Sequence, residues 1–209
     1  MNCYFCYMYS VRPPSILRKL YTNGVWRLNK LEKKIYLTFD DGPIAEVTPW
    51  VLDLLKAKAV PATFFCVGEN VKNHASIYHR ILNENHAVGN HTYNHLNGWE
   101  APLPAYIKNV EECSSLVDTT LFRPPYGRIS KKQQAAISKQ YTIIMWDVLS
   151  KDYDVKTSPE ECLENVCSHV RNGSIVVFHD SQKAKKNMQY ALPRFIDFAK
   201  EKGFEFCKL

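Results

Sequence analysis

From residue 33 onward the chain alternates short β-rich runs with stretches of helical periodicity, and this alternation restricts the fold more than any other feature. Strands are expected at 34–39, 62–67, 87–90, 121–123, 141–146, 174–178 and 204–206. Between them, apolar residues recur at helical spacing over 46–58, 75–84, 104–117, 131–139, 159–171 and 188–200. Val47, Trp50, Val51, Leu54 and Leu55 make the apolar face of the first helix. The fifth starts after Ser158, a good N-cap, and stops at Asn172-Gly173. Strands that alternate with helices run parallel, joined by right-handed crossovers. No Gly-rich phosphate loop follows the first strand, so seven strands suit a β/α barrel, one unit short of the common eight, better than a doubly wound sheet.

With 209 residues the chain is long enough for one domain with a sizeable core. We expect residues 33–209 to form that domain and residues 1–32 to be an N-terminal extension packed on it. The formal charge of +6 is spread out, its densest stretch being Lys183-Ala184-Lys185-Lys186, which reads as a solvated loop. No nucleic-acid partner is expected. The seven cysteines are odd in number. Cys66 and Cys207 fall in apolar runs, and Cys113, Cys162 and Cys167 in helical patterns, as in a reduced chain that uses cysteine as a small hydrophobe. Cys3 and Cys6 form an incidental C-x-x-C. Met1 to Ser10 lack the marks of a secretory leader, and no run is long enough for a transmembrane helix, so the expectation is a cytoplasmic protein. Oligomeric state is not legible.

In a β/α barrel, chemistry sits where strands end and loops begin. Asp40-Asp41 follow the first strand, and His91 and His95 the third. Arg123-Pro124-Pro125-Tyr126-Gly127 follows the fourth, Asp147 and Asp152 the fifth, and His179-Asp180 the sixth. The fold is expected to aim all of these at one mouth. Taken alone, Asp40-Asp41-Gly42 is equally a solvated turn. Adjacent acids at a strand end can also divide two jobs, one binding a metal and the other accepting a proton. His91 and His95, four apart, would share one face of a helical turn; with a carboxylate they complete a 2-His-1-carboxylate site, suited to zinc or non-haem iron.

Four segments in order resemble the polysaccharide deacetylase family, the NodB-homology group known as carbohydrate esterase family 4. They are Thr38-Phe39-Asp40-Asp41-Gly42-Pro43, His91-Thr92-Tyr93-Asn94-His95, Arg123-Pro124-Pro125-Tyr126-Gly127 and Val176-Val177-Phe178-His179. The resemblance implies an α/β fold, a distorted (β/α)7 barrel. It also implies a metal-dependent hydrolase that removes N-acetyl, or O-acetyl, groups from a sugar oligomer or polysaccharide. Asp41, His91 and His95 would hold a divalent ion, zinc first, with Co2+, Mn2+, Ni2+ or Fe2+ as alternatives. Asp40 would be the general base, oriented by Arg123, and His179 the general acid, kept charged by Asp152. The backbone N–H of Tyr126, in a loop stiffened by Pro124 and Pro125, would complete an oxyanion hole, with Tyr153 and Val176 at the acetyl pocket.

This chain departs from the family pattern at three places. Leu149 stands where an Asp is common, Tyr153 where a Trp walls the pocket, and Val176 where a Leu is typical. The implied partner is an N-acetylated glycan. Two other readings remain: a hydrolase of a non-sugar amide or cyclic imide on the same fold, and a glycan-binding pseudoenzyme.

Overall fold

A computed structural model describes residues 10–209 of the protein. Cys3 and Cys6 lie outside the described residues. The elements run α1 (Ser15–Leu20), β1 (Gly24–Val25), β2 (Lys34–Asp40), α2 (Thr48–Lys58), β3 (Thr63–Cys66), α3 (Gly68–Asn73), α4 (Ala75–Asn83) and β4 (Ala87–Asn90). They continue with α5 (Leu103–Ser114), β5 (Leu121–Phe122), α6 (Lys131–Ile137), β6 (Thr142–Ile144), β7 (Val148–Leu149), α7 (Pro159–Cys167), β8 (Ser174–His179), α8 (Lys185–Glu201) and β9 (Glu205–Cys207).

The strands pair in the order β1-β6-β5-β4-β3-β2-β8-β7, and β9 pairs with the start of β2. Every ladder between these strands is parallel. Arg27, two residues past β1, makes an antiparallel bridge with Ser174 at the start of β8. That bridge ties the β1 end of the strand order to β8, the strand next to last at the other end, so the sheet curls on itself as the β–α alternation predicts. Val25 also accepts a hydrogen bond from the Met145 N–H at 2.8 Å. The segment before residue 33 thus supplies a strand, and its Leu17, Tyr21 and Trp26 pack with Trp146 and Met145.

Strand alternation sorts the side chains into two cores. Ile35, Leu37 and Phe39 of β2 face outward, with Val176 and Phe178 of β8, into a core completed by the helices. From α2 come Val51, Leu52 and Leu55; from α8 come Met188, Ala191, Leu192, Phe195, Ile196 and Ala199, an apolar stripe at helical spacing. The opposite faces turn to the barrel interior, where Phe65, Ile144 and Ile175 pack together. Thr38 and Asp40 share that interior face of β2, and Val177 and His179 that of β8. This parity places the polar residues of the strand ends. Among the described cysteines none is in a disulfide, and Cys66, Cys113 and Cys162 are buried.

Candidate active site

Asp40 ends β2, and the chain turns sharply at Asp41. Asp41 has φ 85°, a left-handed conformation. The next residue must be glycine, because a Cβ on Gly42 would lie 1.9 Å from Asp180 Oδ2. Asp180 accepts from the Gly42 N–H at 3.0 Å and from the Thr48 hydroxyl at 2.6 Å, tying the turn to β8 and α2. Burial raises the Asp180 carboxyl to about 7, against the Thr48 bond that lowers it. Its part in holding the turn was missed in the sequence, where only its place next to His179 marked it.

Asp41 Oδ1 lies 3.3 Å from His95 Nε2 and 3.9 Å from His91 Nε2. Candidate ligand atoms of the three residues all fall within 4.8 Å of one another. The histidines do not sit on a helical turn. Residues 91–97 form a loop in which Thr92 (φ 64°) and His95 (φ 58°) are left-handed. Asn90 Oδ1 accepts from the Thr92 N–H and Thr92 Oγ1 from the Leu96 N–H, both at 2.9 Å, and these bonds bend the loop until the rings are 5.1 Å apart.

The His91 Nδ1–H donates to the Arg123 carbonyl at 2.7 Å, and His95 Nδ1 meets the Tyr126 hydroxyl at 3.2 Å. Both rings therefore turn Nε2 toward Asp41, the arrangement that metal-binding imidazoles require. Burial holds His91 down at about 4, so it is neutral and able to ligate. Burial would raise the Asp41 carboxyl, but the His95 bond and the neighbouring imidazoles outweigh it and hold it well below the usual range. Two neutral-capable imidazoles and one carboxylate fit a divalent ion of the zinc type, with coordination positions left open to water and substrate.

Arg123 is fully buried behind Asp40. Its Nη1 donates to Asp40 Oδ1 at 2.6 Å and to the Thr38 hydroxyl at 2.8 Å, while Nε and Nη2 reach the carbonyls of Ile144 and Met145. The guanidinium also lies over the Phe65 ring, 4.0 Å from its centroid. After it, Pro124 and Pro125 lead into a tight turn in which Tyr126 has φ 60°. The Tyr126 ring packs edge-on against His95 at 4.6 Å.

His179 Nδ1 lies 2.8 Å from Asp152 Oδ1, and Asp152 Oδ2 accepts from the His179 N–H, also at 2.8 Å. Burial would lower the His179 imidazolium, but the buried Asp152 carboxylate overrides it and raises it to about 9. His179 is therefore charged at neutral pH. Tyr153 sits edge-on to this ring at 4.8 Å.

A cavity of about 420 Å³ opens over these groups, lined by Asp40, Asp41, His91, His95, Tyr126, Tyr153 and His179, with Trp146, Leu149 and Val177 as apolar wall. Arg123 and Asp152 stand behind the wall. Two expected pocket residues do not line it. Val176 faces the outer core because β8 alternates, and Val177 takes its place; at the Pro-Pro pair, Pro124 lines the cavity and Pro125 does not. Trp146, at the end of an expected strand, is a wall residue the sequence did not single out.

Asp147 also departs from the expectation that all strand-end acids share one mouth. It is fully buried at the other end of the barrel, bonded to Arg18, to Arg171 twice, and to the Ser174 hydroxyl at the start of β8.

The curled parallel sheet and a His–His–carboxylate group at the ends of its strands define a barrel protein with a metal-competent polar mouth. Residues 27–144 match the polysaccharide deacetylase family. A peptidoglycan-N-acetylglucosamine deacetylase of Bacillus cereus is 34% identical over 189 residues, 87% of this chain and 68% of that protein. A solved peptidoglycan N-acetylglucosamine deacetylase in complex with 4-naphthalen-1-yl-N-oxidanyl-benzamide superposes with TM-score 0.84 at 32% identity, covering 94% of both chains. A CE4 family pseudoenzyme from Bacillus anthracis superposes with TM-score 0.77 at 26% identity, over 89% of this chain and 67% of that one. The chain belongs to the polysaccharide deacetylase family. Among the described residues, no helix is long and apolar enough to cross a membrane.

Proposed function

We propose that this protein hydrolyses the N-acetyl group of an amino sugar in an oligo- or polysaccharide, with an O-acetyl sugar ester as the second substrate class. One observation carries the reading. Asp40 and His179 are register partners at the C-terminal ends of neighbouring parallel strands, both facing the cavity. Each has a fixed opposite charge behind it, Arg123 for the acid and Asp152 for the imidazole. A proton acceptor and a proton donor thus stand side by side, the pair that amide hydrolysis needs.

Asp41, His91 and His95 are the residues that would hold a divalent ion, zinc foremost. Such an ion, when bound, polarises the acetyl carbonyl and acidifies the attacking water. Asp40 takes the proton of that water as its oxygen bonds to the acetyl carbon. Arg123 keeps the carboxylate aimed through its bond to Asp40 Oδ1. The Tyr126 N–H, held in its turn, donates to the oxygen on which charge develops. His179 gives its proton to the sugar nitrogen as the C–N bond breaks, so the amine leaves neutral and acetate remains. Asp152 orients the imidazole and stabilises its charge until that moment.

The N-acetylglucosamine units of peptidoglycan are the first candidates, given the relatives' substrates, and chitin-type oligomers the second. The test is acetate release from a panel of these glycans by protein of verified metal content. Absence of release from every glycan at full occupancy overturns the reading. Retained glycan binding in that case supports the pseudoenzyme, and turnover of a cyclic imide supports the non-sugar amidase.

A further inference from the structure

The stretch from His179 to α8 carries a charge that the proposed chemistry does not use. Asp180 and Ala184 are both buried and fix its ends: the Asp180 N–H donates to the Asp40 carbonyl, and the Ala184 N–H to the Ser181 carbonyl, each at 3.1 Å. Between them Ser181, Gln182 and Lys183 line the cavity. Gln182 Nε2 donates to Glu46 Oε2 at 3.0 Å, which pins the stretch to the loop after β2 and engages the carboxylate at this rim.

Lys183 is left over. Among the described residues lining the cavity it is the only lysine or arginine, and it has no hydrogen bond or ion pair with any of them or with any other described residue. An ammonium in open solvent needs no partner. Here, however, the backbone that carries it is held four residues from His179, so its charge stays within reach of whatever fills the cavity. The remaining wall offers apolar surface, the aromatic rings of Trp146, Tyr126 and Tyr153 with their neutral polar groups, and the groups assigned to proton transfer or metal binding, so apart from His179 it brings no other cation. For a neutral sugar, Lys183 exchanges water for a hydroxyl and gains little. For a carboxylate or phosphate, the exposed Lys183 ammonium at the rim of the cleft forms a charge-assisted bond, stronger than the one it gives a neutral hydroxyl.

We infer that Lys183 is a specificity residue that selects glycans carrying an anionic substituent, a carboxylate or a phosphate, on or beside the sugar being deacetylated. The inference rests on the deacetylase reading above and names its substrate class.

The test compares acetate release from three oligosaccharides of equal length by the metal-loaded protein: one with ether-linked carboxylates on alternate sugars, its methyl ester, and a phosphorylated counterpart. The wild type should prefer an anionic oligomer over the ester by about 10-fold in kcat/KM, a preference that weakens with salt. Which anion is favoured identifies the substituent. Lys183→Gln should bring the ratio to about one, Lys183→Glu should invert it, and Lys183→Arg should keep it. A ratio rather than a rate is read, so general damage to the loop does not mimic the effect. A wild-type ratio near one, or a preference that survives Lys183→Gln, overturns the inference and leaves the deacetylase reading standing. No acetate from any of the three, nor from a neutral chitin-type oligomer, overturns both.

Discussion

The molecule buries a carboxylate against arginine at each end of its barrel, and the two groups are built differently. At the floor, Asp147 has both oxygens engaged: Oδ1 takes Arg18 and Arg171, while Oδ2 takes Arg171 and the Ser174 hydroxyl. At the mouth the satisfied partner is the arginine. Arg123 spreads its N–H groups over Thr38, Ile144, Met145 and Asp40, whereas Asp40 receives, among the described residues, a single side-chain bond and keeps a surface on the cavity. A saturated carboxylate holds elements together and has no capacity for a proton. One aimed by a rigid arginine but otherwise open is equipped to take one.

The sharpest test of this contrast is Asp40→Asn, which keeps the shape and removes the base. We expect turnover to fall on the order of 10³-fold, with metal content by elemental analysis unchanged. Asp41→Asn, tolerated by the left-handed turn because asparagine adopts it readily, should instead lower metal affinity.

A second test addresses the acid partner. His179 donates only when protonated, and its value is raised, so wild-type kcat/KM should fall as pH rises through about 9. In Asp152→Asn the support is gone, and the alkaline limb should move down by roughly two pH units toward the ordinary histidine value.

At the floor the readout is stability, not rate. Asp147→Asn should cost about 2 kcal/mol in denaturant unfolding, below the usual figure for a broken buried pair because the arginines are partly exposed. Turnover per folded molecule should persist; a loss as large as that of Asp40→Asn would erase the distinction between the two ends. The smallest effect is the pH dependence of stability in the wild type. Burial works against the Asp147 charge, but the bonds from Arg171, Ser174 and Arg18 lower the carboxyl to about 2. Its contribution is thus complete above the unfolded value of roughly 4 and lost as pH falls through 2. Asp147→Asn should flatten that part of the acid unfolding curve.

The β–α order was legible because each main strand is a compact apolar run closed by polar or turn residues, as in Lys34–Asp40. Elements without room for a period were not. β1 and β7 have two residues each, and α1 and α3 six, so their places are decided by neighbours; β5 is equally short and was legible because Leu121-Phe122 is an apolar run standing between two helical stretches. Most of the residues gathered at the candidate site could be named from motif and strand-end position. What those motifs could not convey was direction. Asp147 and Asp152 both follow the same expected strand, yet one binds the floor and the other backs His179. Val176 and Val177 differ by one residue and face opposite sides of the sheet. Asp180 was hidden for the same reason, since its partners Gly42 and Thr48 are far away in sequence.

Of the seven described non-glycine residues with positive φ, Asp41, Thr92, His95 and Tyr126 lie on the loops of the mouth. Each left-handed side chain carries on the order of 1 kcal/mol of backbone strain, which glycine would relieve, less the freedom glycine gives the unfolded chain. Evolutionary drift here therefore has a preferred direction. Exchanging Asp41 for glycine removes a proposed metal ligand while relieving that strain, whereas the reverse exchange must acquire a side chain against a conformational penalty. On this account, a lineage released from the demand for turnover keeps its barrel while it sheds its reactivity.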